Sequence, residues 1–302
     1  MHKTFSYRIL IIGLRVGLGF LASTAFAQTQ QYVPTAPTQS SLYCSGVVTN
    51  KPVAKDSYLI SGEDSRFKTT FSTGDFVFIN QGAEHGVKVG DEFEVIRPAT
   101  DPPGLVWYKY QSGVAWFKYQ SMLSHAMGTT YEDIGRLRVV HVDGKTSTAE
   151  MSMSCTLMHR GDIVRPFAAR PAPQFHNVKF DPFAAPSGKK TAMVVNTKDF
   201  GTMAAAGKIV YVNLGSDQGV RIGDYFRVFR YQGTHIDTLY QVKNSAYMVE
   251  GFGGTPAPYG WNNLPRQILG EGIVLRTGPN SSTVLLTDSR QEIFSGDYVE
   301  LE

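Results

Sequence analysis

The chain has 302 residues, of which 42% are hydrophobic and 18% charged, with a formal net charge of +3. That length suffices for two domains of ordinary size. Lys3, Arg8 and Arg15 meet no acid among residues 1–27, so the remainder is neutral. With no basic run it has no electrostatic footprint for nucleic acid, and that class of partner is excluded.

Residues 1–27 read as a secretory signal: a basic start, apolar stretches at 9–12 and 16–22, and Ala25-Phe26-Ala27 as the cleavage site. Cleavage before Gln28 implies a periplasmic or cell-surface location. No later apolar run approaches the roughly 20 residues of a membrane span. Residues 28–42, rich in Gln, Thr, Pro and Ser, read as a disordered linker. The two cysteines, Cys44 and Cys155, form an even pair, which in an oxidising compartment predicts a disulfide.

From residue 43 onward the chain is written twice. Residues 74–97, GDFVFINQGAEHGVKVGDEFEVIR, align without a gap on 207–230, GKIVYVNLGSDQGVRIGDYFRVFR, and eleven of the 24 positions are identical, Arg97/Arg230 among them. A second block, 135–164, repeats at 270–299. The first copy is thus a β module over 43–168 and the second a β module over 190–302, with a Pro-rich linker at 169–189. Short β-branched and aromatic runs ending at Asn-x-Gly predict strands and turns. Four Gly-Asp pairs mark corners ahead of alternating strands: Gly90-Asp91, Gly161-Asp162, Gly223-Asp224 and Gly296-Asp297. Glycine supplies positive φ there and the aspartate bonds nearby backbone N–H groups. The predicted fold is all-β: two tandem small barrels of SH3-like or cradle-loop-like type. The second copy lacks both cysteines together, which supports their pairing, with Cys44 tying the first strand of its copy to the last hairpin.

The blocks of each copy are separated by dissimilar inserts. The first has helical spacing near 114–127 and ends at Gly128; the second, Gly- and Pro-rich, reads as loop. All three tryptophans lie in the inserts, Trp107 and Trp116 in one and Trp261 in the other, beside Phe252 and Tyr259. Aromatics on loops of a rigid scaffold suit recognition of a partner.

The block Asn-x-Gly-x-x-x-Gly-Val-x-x-Gly-Asp-x-Phe-x-Val resembles the C-terminal domain of flagellar assembly protein T, and more widely the Gly-Asp box of cradle-loop and SH3-like barrels. With Phe-Asp-Pro-Phe at 180–183 and Leu-Pro-Arg-Gln-Ile-Leu-Gly at 264–270, the chain is similar to a family of uncharacterised bacterial envelope proteins. The expected function is a non-enzymatic binding or assembly module of the envelope, and the placement of the tryptophans points to an envelope protein complex or a cell-wall glycan engaged through the inserts. LysM domains also carry a Gly-Asp pair but follow it with a helix, where this chain continues as strand.

An enzymatic alternative rests on Tyr43-Cys44-Ser45-Gly46, Gly74-Asp75-Phe76-Val77-Phe78 and His85. These resemble the NlpC/P60 cysteine peptidases of cell-wall peptides, with Cys44 as nucleophile and His85 as base. The chain departs from that pattern at Tyr43, in place of aspartate, at residues 47–56, which favour no helix, and after His85. The histidines have no metal-ligand spacing, and no cofactor motif is present.

Overall fold

The computed structural model describes residues 34–99, 122–177, 180–201, 203–231, 248–249, 252–253 and 265–302. A short helix, α1 (Gln39–Tyr43), and strand β1 (Val47–Thr49) precede the first barrel. Its strands are β2 (Leu59–Gly62), β3 (Thr70–Phe71), β4 (Phe76–Ile79), β5 (Glu92–Pro98), β6 (Thr129–Val142), β7 (Ser147–Ser154), β8 (Met158–His159) and β9 (Ile163–Pro166). The second is built from β10 (Thr191–Thr197), β11 (Met203–Ala204), β12 (Ile209–Val212), β13 (Tyr225–Arg230), β16 (Gln267–Thr277), β17 (Ser282–Ser289), β18 (Ile293–Phe294) and β19 (Tyr298–Leu301). Two short strands, β14 (Met248–Val249) and β15 (Phe252–Gly253), pair with each other. The protein is all-β, as the sequence predicts.

Both copies have one strand order. The second is a closed barrel, β10-β12-β17-β16-β13-β19, and the first runs β2-β4-β7-β6-β5-β9. In the first copy the seam between β2 and β9 is closed by a single bridge, Tyr58 to Ile163, instead of a full ladder. Small pairs repeat as well, β3 with β8 and β11 with β18. Alternation along each strand fills the interiors. Val77, Phe93, Val95, Leu137 and Met151 belong to the core of the first barrel, and Val210, Phe226, Val228, Val274 and Leu286 to that of the second.

The Gly-Asp corners share one local structure. Gly90, Gly161, Gly223 and Gly296 all have φ between 84° and 99°, a conformation costly for any residue with a Cβ. The aspartate N–H closes the turn onto the carbonyl three residues back, as Asp297 does with Phe294 at 3.0 Å. Its carboxylate accepts the N–H of that same residue: Lys88 to Asp91 at 2.9 Å, His159 to Asp162 at 2.7 Å, Arg221 to Asp224 at 2.8 Å and Phe294 to Asp297 at 2.7 Å. A fifth corner, Gly74-Asp75, has the same bond from Ser72 at 2.7 Å, and its second-copy counterpart is Gly207-Lys208.

Several details differ from the sequence reading. Within the 28–42 stretch, Thr38 caps α1 with a reciprocal bond to Ser41, and Leu42 is buried. Cys44 lies at the C-terminal cap of α1, outside any strand. Strand β1 is not the counterpart of β10, since that place is taken by β2; β1 is an added strand on Tyr131–Thr129 at the start of β6. Of the predicted helix near 114–127, residues 122–127 are described and are helical (α2). The 169–189 linker carries no helix or strand among its described residues and packs on the second barrel. The His176 N–H donates to Tyr225 Oη at 2.7 Å, and Phe180 is buried with Phe229 and Ile268. The described residues from 34 onward form one compact unit.

Candidate functional site

Cys44 and Cys155 are joined by a disulfide with a Cα–Cα distance of 5.4 Å. It links the end of α1 to the segment just after β7 and closes a loop by joining residues 111 positions apart. On the chain-entropy account such a loop contributes about 4–5 kcal/mol. Cys44 therefore carries no thiol in this state, and thiolate chemistry would first require reduction. His85 ends a one-turn 3₁₀ helix, Ala83–His85, and is exposed. That turn is held to the β6–β7 hairpin by Ala83 N–H on Asp143 O at 2.8 Å and Glu84 N–H on Gly144 O at 2.9 Å. The second copy has the same turn, with Gln218 in the place of His85.

Trp107, Trp116, Tyr259 and Trp261 lie outside the described residues. Phe252 is described in its backbone alone, in β15. What the structure does define is where the inserts start and end. One leaves after β5 and returns before β6; the other leaves after β13 and returns before β16. These are the same break in equivalent barrels.

The corner aspartates divide into two kinds. Among the described residues, Asp91 and Asp224 hold their turns alone, whereas Asp162 and Asp297 also bind an arginine; Asp75 of the fifth corner takes Lys68 instead. Arg97 donates from Nε and Nη2 to the two oxygens of Asp162, both at 2.7 Å. Arg230 does the same to Asp297 at 2.7 and 2.6 Å. Their Nη2 atoms also reach equivalent carbonyls, Leu157 O at 3.1 Å and Glu292 O at 3.3 Å. The paired fork fixes geometry as well as charge. It explains why the arginine and the Gly-Asp pair, from separate blocks, both recur.

A second repeated pair is reversed in sign. Glu94 of β5 lies across from Arg165 of β9, with Arg165 Nε 2.6 Å from Glu94 Oε1. At the matching positions Arg227 of β13 lies across from Glu300 of β19, at 3.0 Å. Each carboxylate takes one further arginine: Arg170 on Glu94 at 2.7 Å, and Arg266 on Glu300 at 2.5 and 2.7 Å.

The junction of the barrels centres on Asp133 of β6, only 3% exposed. It accepts the Gly46 N–H at 2.7 Å, Arg170 at 2.9 and 3.0 Å, and Arg276 of β16 at 3.2 and 3.3 Å. One carboxylate thus ties the approach to β1, the inter-barrel segment and the second barrel. Burial pushes its carboxyl up, but the hydrogen bonds from Arg170, the charges of Arg276 and Arg170, and the Gly46 N–H outweigh it and hold the group below the usual carboxylate range. Around this ion cluster Tyr211 Oη donates to Ser45 O at 3.1 Å, Thr283 Oγ1 to Gly46 O at 3.2 Å and Ser281 Oγ to Val48 O at 2.6 Å. Gly46 has φ 69°, and a Cβ there would lie 2.5 Å from Tyr211 Oη, so glycine is required by both conformation and space.

Glu271 of β16 stands out electrostatically on the second barrel. Burial raises its carboxyl to about 7, helped by the nearby Glu302 and Asp288 and opposed by Arg227. Among the described residues no group of three His, Cys, Asp or Glu side chains could hold a metal ion, and no helix is long and apolar enough to cross a membrane. Sequence reading missed the Asp133 cluster, because nothing local marks its members. The Glu94/Arg165 and Arg227/Glu300 exchange was detectable by setting the aligned copies side by side. A scan against family models and a comparison with curated protein sequences found no match to this chain.

Proposed function

We propose that this chain is an exported, non-enzymatic module of the cell envelope that binds or assembles with a partner through its two aromatic inserts. The observation that carries this reading is the common position of the inserts. Each interrupts its barrel between the same pair of strands, so a rigid repeated scaffold bears Trp107 and Trp116 at one break and Phe252, Tyr259 and Trp261 at the other. Loops on such scaffolds carry recognition. The disulfide supports an oxidising compartment, in agreement with a signal at residues 1–27. The Gly-Asp-box resemblance to the C-terminal domain of flagellar assembly protein T supports an assembly role. The partner is an envelope protein complex or a cell-wall glycan.

Crosslinked pull-down from the envelope, beside sedimentation with purified peptidoglycan, tests the reading. Co-sedimentation lost in Trp261→Ala or Trp116→Ala identifies a glycan, and a defined crosslinked protein lost in the same variants identifies an assembly partner. Folded variants that retain every interaction of the parent chain refute the role of the inserts. Mass analysis of the exported chain checks processing, with Gln28 as the expected first residue.

A further inference from the structure

The contact between the two barrels is one-sided. The first copy supplies covering pieces: Leu42 of α1, Val48 of β1 and Met127 of α2. The second copy supplies a sheet face: Val195, Tyr211, Leu275 and Leu285 on adjacent strands, none more than 2% exposed. Both sides of this contact have a second version elsewhere in the chain, and those versions do not meet each other.

Part of the face recurs on the first barrel, bordered by the exposed Arg138–Glu150 cross-strand pair. Val195 and Leu275 sit in bulges of β10 and β16, and Ile60 and Val140 occupy the matching bulges of β2 and β6. Phe78 stands in the place of Tyr211, the exposed Glu150 in that of Leu285, and Thr146 and Thr148 in the places of Ser281 and Thr283, whose hydroxyls hold the Val48 and Gly46 carbonyls. Here the face is open: Ile60 and Val140 are each 39% exposed, and Phe78, Thr146 and Thr148 are half-buried.

The covering side recurs on the second barrel. In the first, Val47 of β1 packs with Ile96, Tyr131 and Ile163, while its neighbour Val48 meets the other barrel. In the second, Phe180 packs with Phe229 and Tyr298, the counterparts of Ile96 and Ile163, and with Ile268. Residues 180–183, a turn without strand pairing, therefore cover the second barrel near where β1 covers the first, and Phe183 stands out from them at 88% exposure.

We propose that the protein associates with a second copy of itself head to tail, the open face of the first barrel receiving the Phe180–Phe183 stretch of the next chain's second barrel. The contact continues the geometry already built between the barrels of one chain. It is heterologous, so it leaves one free face and one free covering side at the ends of each assembly and can propagate. Ile60, Phe78 and Val140 form the apolar floor, Phe183 is the aromatic anchor, and Thr146 and Thr148 offer hydroxyls to backbone carbonyls.

Sedimentation velocity on the full exported chain, up to hundreds of micromolar, tests this. The parent chain shows concentration-dependent growth beyond a dimer. Val140→Asp and Phe183→Asp each weaken association at least about tenfold. Mixing the two variants restores one good contact, giving a 1:1 pair that grows no further. Near-ultraviolet circular dichroism checks that each variant is folded, and Ile60→Lys replaces Val140→Asp if that variant is not. A parent chain that stays monomeric, a Phe183→Asp chain that still dimerises, or a mixture that forms no pair overturns the proposal.

Discussion

Arg227 lies directly across the β13–β19 ladder from Glu300, and the first barrel carries the same cross-strand pair with the signs exchanged. What the repeat preserves at this place is opposite charge across a ladder, not residue type. Glu300 is nearly inaccessible and also holds Arg266. Glu300→Gln therefore takes the carboxylate from Arg266 and leaves Arg227 with Glu302 alone, and should cost about 3 kcal/mol in urea unfolding. The double variant Arg227→Glu/Glu300→Arg recovers only part of that, because Arg266 would then face a like charge.

Asp162 and Asp297 each combine a corner with an arginine fork, whereas Asp91 and Asp224 serve only their turns. Asp162→Ala and Asp297→Ala are expected to destabilise by similar amounts, about 3 kcal/mol or more. Asp91→Ala and Asp224→Ala should lose about 1 kcal/mol each. Denaturant midpoints of the four variants check this ordering, which depends on the forks at Arg97 and Arg230.

Asp133 joins three parts of the chain, and its removal takes the carboxylate from Arg276 and leaves Arg170 with Glu94 alone. Asp133→Ala should cost about 3–5 kcal/mol and increase proteolysis of the 169–189 segment before either barrel is cut. Its folded carboxyl is held below the ordinary value of 3.8. The stability it contributes is thus fully present above the unfolded value and is lost as pH falls through the folded one. An acid titration of the parent chain should show this loss, and the same titration of the variant should not.

Glu271 gives the opposite trend. Its folded carboxyl titrates near 7 against an ordinary 4.5, so the folded chain keeps a proton that the unfolded chain releases. Stability therefore falls as pH rises from about 4.5 to 7 and is level above that. Solvent screening at this half-buried site keeps the loss to about 1–2 kcal/mol. Glu271→Gln should remove the decline and be more stable than the parent chain at neutral pH, as read from melting temperatures across that window.

Reduction tests the Cys44–Cys155 bond. Cys44→Ala/Cys155→Ala should lose about 2–5 kcal/mol yet keep its strand content by circular dichroism, since both barrel cores are independent of the sulfurs. Loss of all strand signal would mean that the bond organises the fold instead of reinforcing it.

The barrels were legible in the sequence because the same pattern of apolar alternation and Gly-Asp turns is written twice, and chance does not repeat eleven residues in register. The cysteine pairing was legible because both partners are missing together from the second copy. The role of β1 was not legible. Val47-Val48-Thr49 has strand composition, but which strand it joins depends on Tyr131, 84 residues later, and no local signal encodes that distance. The Asp133 cluster was hidden for the same reason, its arginines coming from the linker and from β16. The aromatic inserts share no pattern with each other, so the repeat gives no register in which to read them.

Strand β1 is completed by residues the ribosome adds almost last: Val48 waits for Ser281, 233 positions further along the chain. Until then its outer side has no cover, and the Gly46 N–H and carbonyl lack half of their final surroundings. Synthesis from the N-terminus therefore supplies the first barrel's ladders by residue 166 but not the cover over β1. The β1 side of the first barrel thus acquires its native cover late, through contacts of long sequence separation, which slows the final step of folding.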